Sequence, residues 1–130
     1  MLVAGDTLHI QSGLGLHLFA MIVGPVTVAN RGLGEHYVLV NFSSNKPDDM
    51  HDTSCELVQG DHPSIHRPSH VVYRQARIEP VQHIHALLAQ GVHKKAAPCS
   101  SALLQKIIRG ALASPLTSKE LKLILKKLGY

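Results

Sequence analysis

Leu18-Phe19-Ala20-Met21-Ile22-Val23-Gly24-Pro25 is the stretch whose reading decides the fold class. Its first part is apolar at every position, as in a strand buried on both faces. Gly24-Pro25 is expected to break it, with Val26–Ala29 as a short extension. Upstream, Asp6–Gln11 alternates Leu8 and Ile10 with polar neighbours and reads as a strand. Ser12-Gly13-Leu14-Gly15 between them is a turn or loop. Downstream, Asn30-Arg31-Gly32-Leu33-Gly34 has strong turn chemistry and leads to Tyr37–Phe42, which is β-branched and aromatic. Ser43–Thr53 is polar and contains Pro47, so it reads as a loop. Cys55–Val58 and His70–Arg77 complete a set of about five short strands, punctuated by glycine and proline, which points to a small antiparallel barrel.

The pattern then changes period. Pro80 suits the first turn of a helix carrying Val81, Ile84, Leu87 and Leu88, and Gly91 is a natural stop. Lys94–Pro98 reads as a linker. A second helix is expected over Ser101–Leu112, with Leu103, Leu104, Ile107 and Ile108 on one stripe. A third begins at Thr117, whose spacing to Glu120 fits a capping box. It runs to Leu128 with Gly129 as C-cap, and its stripe is Leu121, Ile124, Leu125 and Leu128. The expected architecture is therefore α+β: a small antiparallel SH3-like β-barrel with a closing helix over residues 1–93, then a basic helical extension over 94–130.

With 130 residues, 45% of them hydrophobic, the chain can bury a modest core without covalent staples. Its longest apolar run is too short and too interrupted to span a bilayer. Met1-Leu2-Val3-Ala4-Gly5-Asp6 has no basic region before an apolar core, so no signal peptide is expected. Cys55 and Cys99 form no C-x-x-C pair, which predicts neither a disulfide framework nor a cysteine zinc site and suits a reducing, cytoplasmic setting. Residues 1–90 carry five Lys/Arg against eight Asp/Glu, whereas residues 91–130 carry eight against Glu120 alone. The basic tail reads either as a phosphate- or acid-attracting surface or as a solubilising helical face.

Of the ten histidines, His62, His66 and His70 have helical spacing. Pro63 and Pro68 forbid that helix, so Gly60-Asp61-His62-Pro63-Ser64-Ile65-His66-Arg67-Pro68-Ser69 is expected to be an extended inter-strand loop. Loops held by a rigid scaffold carry function. Three roles are open for its histidines. Near-neutral titration suits acid/base catalysis. RNA cleavage needs a base on the 2′-hydroxyl, an acid on the leaving oxygen and a cation at the phosphate, which His62, His66 and Arg67 or Arg74 can supply. Asp61, His62 and His66 could instead hold zinc or manganese. Or the loop is structural, with Gly60, Asp61, Pro63 and Ser69 shaping turns. His83 and His85 diverge on a helix and read as surface residues.

Gly5-Asp6 opening the first strand, a glycine loop leading to Leu18–Val23, the hydroxyl-ended Val40-Asn41-Phe42-Ser43-Ser44, and Ser69-His70-Val71-Val72-Tyr73-Arg74-Gln75-Ala76-Arg77 running toward a helix together resemble the PemK/MazF family of small-barrel toxins. Asp52-Thr53-Ser54-Cys55-Glu56-Leu57 followed by Gly60-Asp61-His62-Pro63 resembles uncharacterised phage and plasmid proteins taken as its remote relatives. The resemblance covers residues 5–90. It implies a metal-independent, cofactor-free endoribonuclease of a toxin–antitoxin or mobile-element system, a homodimer, and an antitoxin partner besides RNA. The family's Arg-Pro at the second strand is replaced here by His17-Leu18, and Ser43 is the loose match to its catalytic hydroxyl. On this reading His62, His66 and Ser43 are the catalytic candidates, and His17, Arg67 and Arg74 contact RNA phosphate. The alternatives are a non-catalytic module binding nucleic acid or protein, and a metal-dependent hydrolase centred on Asp61, His62 and His66.

Overall fold

The computed structural model describes residues 2–13 and 15–130, so Leu14 of the expected first turn lies outside the described residues. The chain order is β1 (Thr7–Ser12), β2 (Gly15–Thr27), β3 (Glu35–Ser44), β4 (Glu56–Leu57), β5 (Ser69–Pro80), α1 (Val81–Ala89), β6 (His93–Ala96), α2 (Ser101–Ala113) and α3 (Lys119–Lys127). The strands form one antiparallel sheet in the order β4-β5-β3-β2-β1-β6.

Three expectations change. Gly24-Pro25 does not end β2, because register shifts at Val23 and between Val23 and Val26 take the proline, which has no N–H to give, out of the regular ladder. The expected Lys94–Pro98 linker contains β6, which pairs His93–Ala96 with Ile10–Thr7 of β1. Short, lysine-bearing and irregular in apolar pattern, it carries the marks of an edge strand rather than of a core one. The sheet is also open: β4 and β6 are its two edges and share no ladder. The boundary expected between 93 and 94 falls inside β6.

The pleat sends alternate side chains to two cores. On one face Leu18, Ala20 and Ile22 of β2, Val38, Val40 and Phe42 of β3, and Val71 and Tyr73 of β5 pack beneath Leu103, Ile107 and Ile108 of α2 and Leu121, Ile124 and Leu125 of α3. The basic helices are thus part of the main core. On the other face Leu8, Ile10, Phe19, Met21, Tyr37 and Leu39 pack beneath Ile84 of α1. That helix covers only one end of its face; the other end is open and polar.

The helix starts show how capping is chosen locally. Pro80 is the N-cap of α1 rather than part of its first turn. Ser100 caps α2 by accepting from the Leu103 N–H at 3.1 Å. In α3 the cap is Ser118, which accepts from Leu121 N–H at 3.1 Å, so the Thr117–Glu120 box does not form and the Thr117 hydroxyl is buried without a hydrogen-bond partner among the described residues. Glu120 turns outward instead and takes a bidentate contact from Arg31, at 2.9 and 2.8 Å. The shared hydrogen bonds hold Glu120 below the usual carboxylate range and raise Arg31. Both side chains are over a third exposed, so solvent screening keeps the pair weak. Arg31→Ala should lower stability by less than about 1 kcal/mol in urea unfolding, with a loss that shrinks further in high salt.

Candidate functional site: two contiguous grooves at the open end of the sheet

The histidine-dense loop after β4 is anchored before it is chemical. Gly60 adopts φ +99°, open to glycine at no steric cost. Asp61 then accepts from the Val58 N–H at 2.9 Å and closes the turn. His62 is 2% exposed. Its Nδ1 accepts from the Ser64 N–H at 3.0 Å, and its Nε2 meets the Ala97 carbonyl at 2.5 Å. An acceptor on one side and a carbonyl on the other fix the proton on Nε2. The Ala97 carbonyl, just beyond β6, also accepts from the Thr7 hydroxyl at 2.6 Å. His62 therefore bridges the loop following one sheet edge to the chain following the other. With both nitrogens held by backbone groups, it is a holding residue and not a proton donor to a ligand. His62→Ala should lower stability by about 2 kcal/mol, from a lost buried side chain and an orphaned Ser64 N–H. A urea midpoint equal to that of the parent would contradict this role.

Beyond His62, Ile65 enters the main core while His66 and Arg67 stay exposed. The buried Ser69 hydroxyl donates to the Arg67 carbonyl at 2.9 Å. Pro63 is exposed and serves the turn. Among the described residues no three of His, Cys, Asp and Glu come together to hold a metal ion, so Asp61, His62 and His66 do not form a ligand set.

The ligand-accessible chemistry lies at the uncovered end of the α1 face. Ser43 of β3 pairs directly with His70 of β5. Phe19 of β2 pairs with Asn41 of β3 at the end of that ladder; His17 and Ser43, each two residues further along and therefore on the same face, line both grooves together. His17, Ser43 and His70 thus form a row across three adjacent strands, its outer backbones about 10 Å apart at the usual strand spacing. All three line an open groove of about 820 Å³, walled by the 46–54 loop, with Arg74 and Gln75 on one flank and Pro115–Leu116 at the rim. Next to it is a groove of about 490 Å³ lined by His9, Ser64, His66 and Arg67 among others. The two share His17, Ser43, Ser44 and Lys46. Sequence-predicted His17, Ser43, His66, Arg67 and Arg74 are therefore gathered here, whereas His62 is in neither groove.

Two histidines outside the predicted set dominate the larger groove. His51, from the polar loop, stacks on His70 with centroids 4.3 Å apart and an interplanar angle of 21°. Its Nε2 donates to Glu56 at 2.6 Å. His70 Nδ1 donates to the Asn45 side-chain oxygen at 2.7 Å, which leaves Nε2 as the lone-pair nitrogen. Burial, reinforced by the neighbouring His51, pushes the His70 pKa below its ordinary value, against the opposing pull of Asp52 and Glu56. At neutral pH His70 is an oriented, uncharged base. Asp52 is itself engaged: burial raises its pKa, but hydrogen bonds from Ser114 and Ser54 outweigh that and keep it ionised.

Electrostatics separates the grooves. The larger contains Asp49 and Asp52. Among the described residues the smaller has no acidic side chain, and its polar lining is Lys46, Arg67, three histidines and four serine hydroxyls. Among the described residues Lys46, Arg67 and Arg74 have no carboxylate partner, whereas Arg31, Lys95 and Lys106 each lie within salt-bridge distance of one. No helix among the described residues is long and apolar enough to cross a membrane. No protein-family model matches the chain, and neither a curated protein nor a solved structure matches it.

Proposed function

We propose that the chain is a metal-independent endoribonuclease whose chemistry is carried by the His17–Ser43–His70 row. The observation behind this is the pairing of a neutral, oriented imidazole, His70, with a second imidazole on the far side of a hydroxyl, beside cations that lack acidic partners. His70 Nε2 takes the proton of a ribose 2′-hydroxyl. The 2′-oxygen attacks phosphorus, the bond from phosphorus to the 5′-oxygen breaks, and His17 returns a proton to that oxygen. The products are a 2′,3′-cyclic phosphate and a 5′-hydroxyl. Ser43 and Arg74 stabilise the charge that grows on the phosphoryl oxygens.

The resemblance to small-barrel toxins supports a wider reading. On this reading the antiparallel sheet, open between its β4 and β6 edges, corresponds to an opened small barrel, with the His62–Ala97 contact linking the segments that follow those edges. An antitoxin, self-association as a dimer, and a reducing cytoplasmic setting that suits the two free cysteines belong to the same proposal. The test is digestion of mixed RNA by the purified chain, with and without chelator, followed by end-group analysis. Cyclic phosphate ends formed in chelator are expected and should vanish in His17→Ala. Intact RNA, or activity only when metal is added, overturns the proposal.

A further inference from the structure

The acid-free groove shares His17 and Ser43 with the catalytic row, while the rest of its lining takes no part in the proton transfers above. Its chemistry is that of an anion track. Lys46 and Arg67 are exposed and, among the described residues, unpaired with any carboxylate. Ser44 and Ser64 add hydroxyl donors, and His66 stands at the far end. Lys46 belongs to both grooves, so a ligand leaving the catalytic row passes it first. Arg67 is held in place from behind. The loop that carries it is pinned by His62 to Ala97, by Ile65 in the core and by the Ser69 hydroxyl on its own carbonyl. A planar guanidinium on a fixed stem suits a phosphate diester, which it can meet with two N–H groups.

We propose that the smaller groove binds the phosphodiester next to the scissile one on a single-stranded RNA, with Arg67 and Lys46 as its phosphate ligands. This rests on the reading that RNA is the substrate and gives it a minimum length: the strand must span both grooves. Volumes of about 820 and 490 Å³ fit nucleotide-sized pieces of one strand. Aromatic residues are only 4% of the chain, and no exposed aromatic lines either groove. Stacking therefore adds little, and the contact is governed by phosphate charge.

The experiment measures binding without cleavage, by fluorescence anisotropy of a labelled, fully 2′-O-methylated oligoribonucleotide over a range of salt. Wild type should bind, with affinity falling as salt rises. Arg67→Ala and Lys46→Ala should each weaken binding by about 3- to 10-fold and flatten the logarithmic salt slope by about 0.7, the value for one phosphate contact on a single strand. Lys127→Ala, at the end of α3 and away from both grooves, should bind as wild type. Circular dichroism should show all three variants folded. Failure of wild type to bind, wild-type affinity in Arg67→Ala, or an equal loss in Lys127→Ala overturns the subsite. Binding with these losses, but with unmodified RNA left intact by wild type, sustains the subsite and sinks only the proposed catalysis.

Discussion

Gly110→Ala should destabilise the chain by about 2–3 kcal/mol, although Gly110 sits inside α2, where alanine is the better helix former by about 1 kcal/mol. The reason is what lies against that helix. A Cβ at Gly110 would overlap the Tyr73 hydroxyl, stand 2.8 Å from Cys55 Cβ and 2.9 Å from the Ser54 carbonyl. The backbone carbonyl cannot swing aside, and Cys55 is fully buried. Tyr73 is held as well, because its hydroxyl donates to the Ile107 carbonyl at 2.6 Å. Burial drives its pKa far upward and keeps it neutral. The new methyl therefore forces α2 away from β5 and the segment before β4. Three contacts under 3.0 Å put the overpacking at or above the upper end of the usual range of about 1–3 kcal/mol, of which the helix-propensity gain offsets about 1 kcal/mol. Thermal unfolding should show a midpoint lower by about 6–12 °C at this chain length. Tyr73→Phe should cost about 1 kcal/mol alone and should recover part of the Gly110→Ala loss in the double variant. An unchanged midpoint for Gly110→Ala would mean that α2 does not approach the sheet this closely.

That close approach explains how much of the fold was legible in the sequence. Strands β1, β2, β3 and β5 announce themselves, because each buries one or both faces and so fixes its apolar pattern. Helices α1, α2 and α3 do so through their stripes. Two things were hidden. β6 has no apolar alternation: its buried residue is His93 and Ala96 is half-buried, so its place is set mainly by hydrogen bonds to β1. Sheet closure depends on how far β2 and β5 bend at their bulges, which no periodicity encodes. Gly110 looks like a weak spot in a helical pattern until Tyr73 is placed against it. Leu128, expected on the buried stripe of α3, is the C-cap and half exposed, because the helix turns its last residues off the core.

The site was legible in kind and misplaced in detail. Proline spacing correctly excludes a helical histidine comb and predicts a loop at Gly60–Ser69. It cannot tell which imidazole points inward. His62 does, since its neighbours Asp61 and Pro63 close a turn that delivers the ring to Ala97. His51 gave no local signal: it lies in a polar loop and becomes interesting only where that loop folds back over β5. His70 belonged to the singled-out segment, but its role depends on Ser43 across the ladder and His51 above it. Contacts of this kind, between residues distant in sequence, are set by register and bulges.

His70→Ala should reduce RNA cleavage by about 10²–10⁴-fold, the usual contribution of a general base, equivalent to about 3–5 kcal/mol of barrier. Binding of an uncleavable strand should change little, because His70 lies outside the phosphate track. The pH profile gives the sharper test. A base must be unprotonated to act, so the rate should fall on acidification through the pKa of His70. Burial and the stacked His51 set that value below 6.5, and the acid limb should therefore have its midpoint below pH 6.5. Removing the stack in His51→Asn exposes His70 and deletes the neighbour that helps hold its pKa down. Both changes favour the protonated ring and should move the acid limb to higher pH while leaving a measurable plateau. The same shift carries a stability effect of defined sign. The unfolded chain binds this proton more readily than the folded one, so acid lowers stability from about pH 6.5 downward. Rates should accordingly be measured well below the unfolding temperature at each pH. An acid limb that is the same in wild type and His51→Asn, or one centred above 6.5 in wild type, would assign the base to another residue.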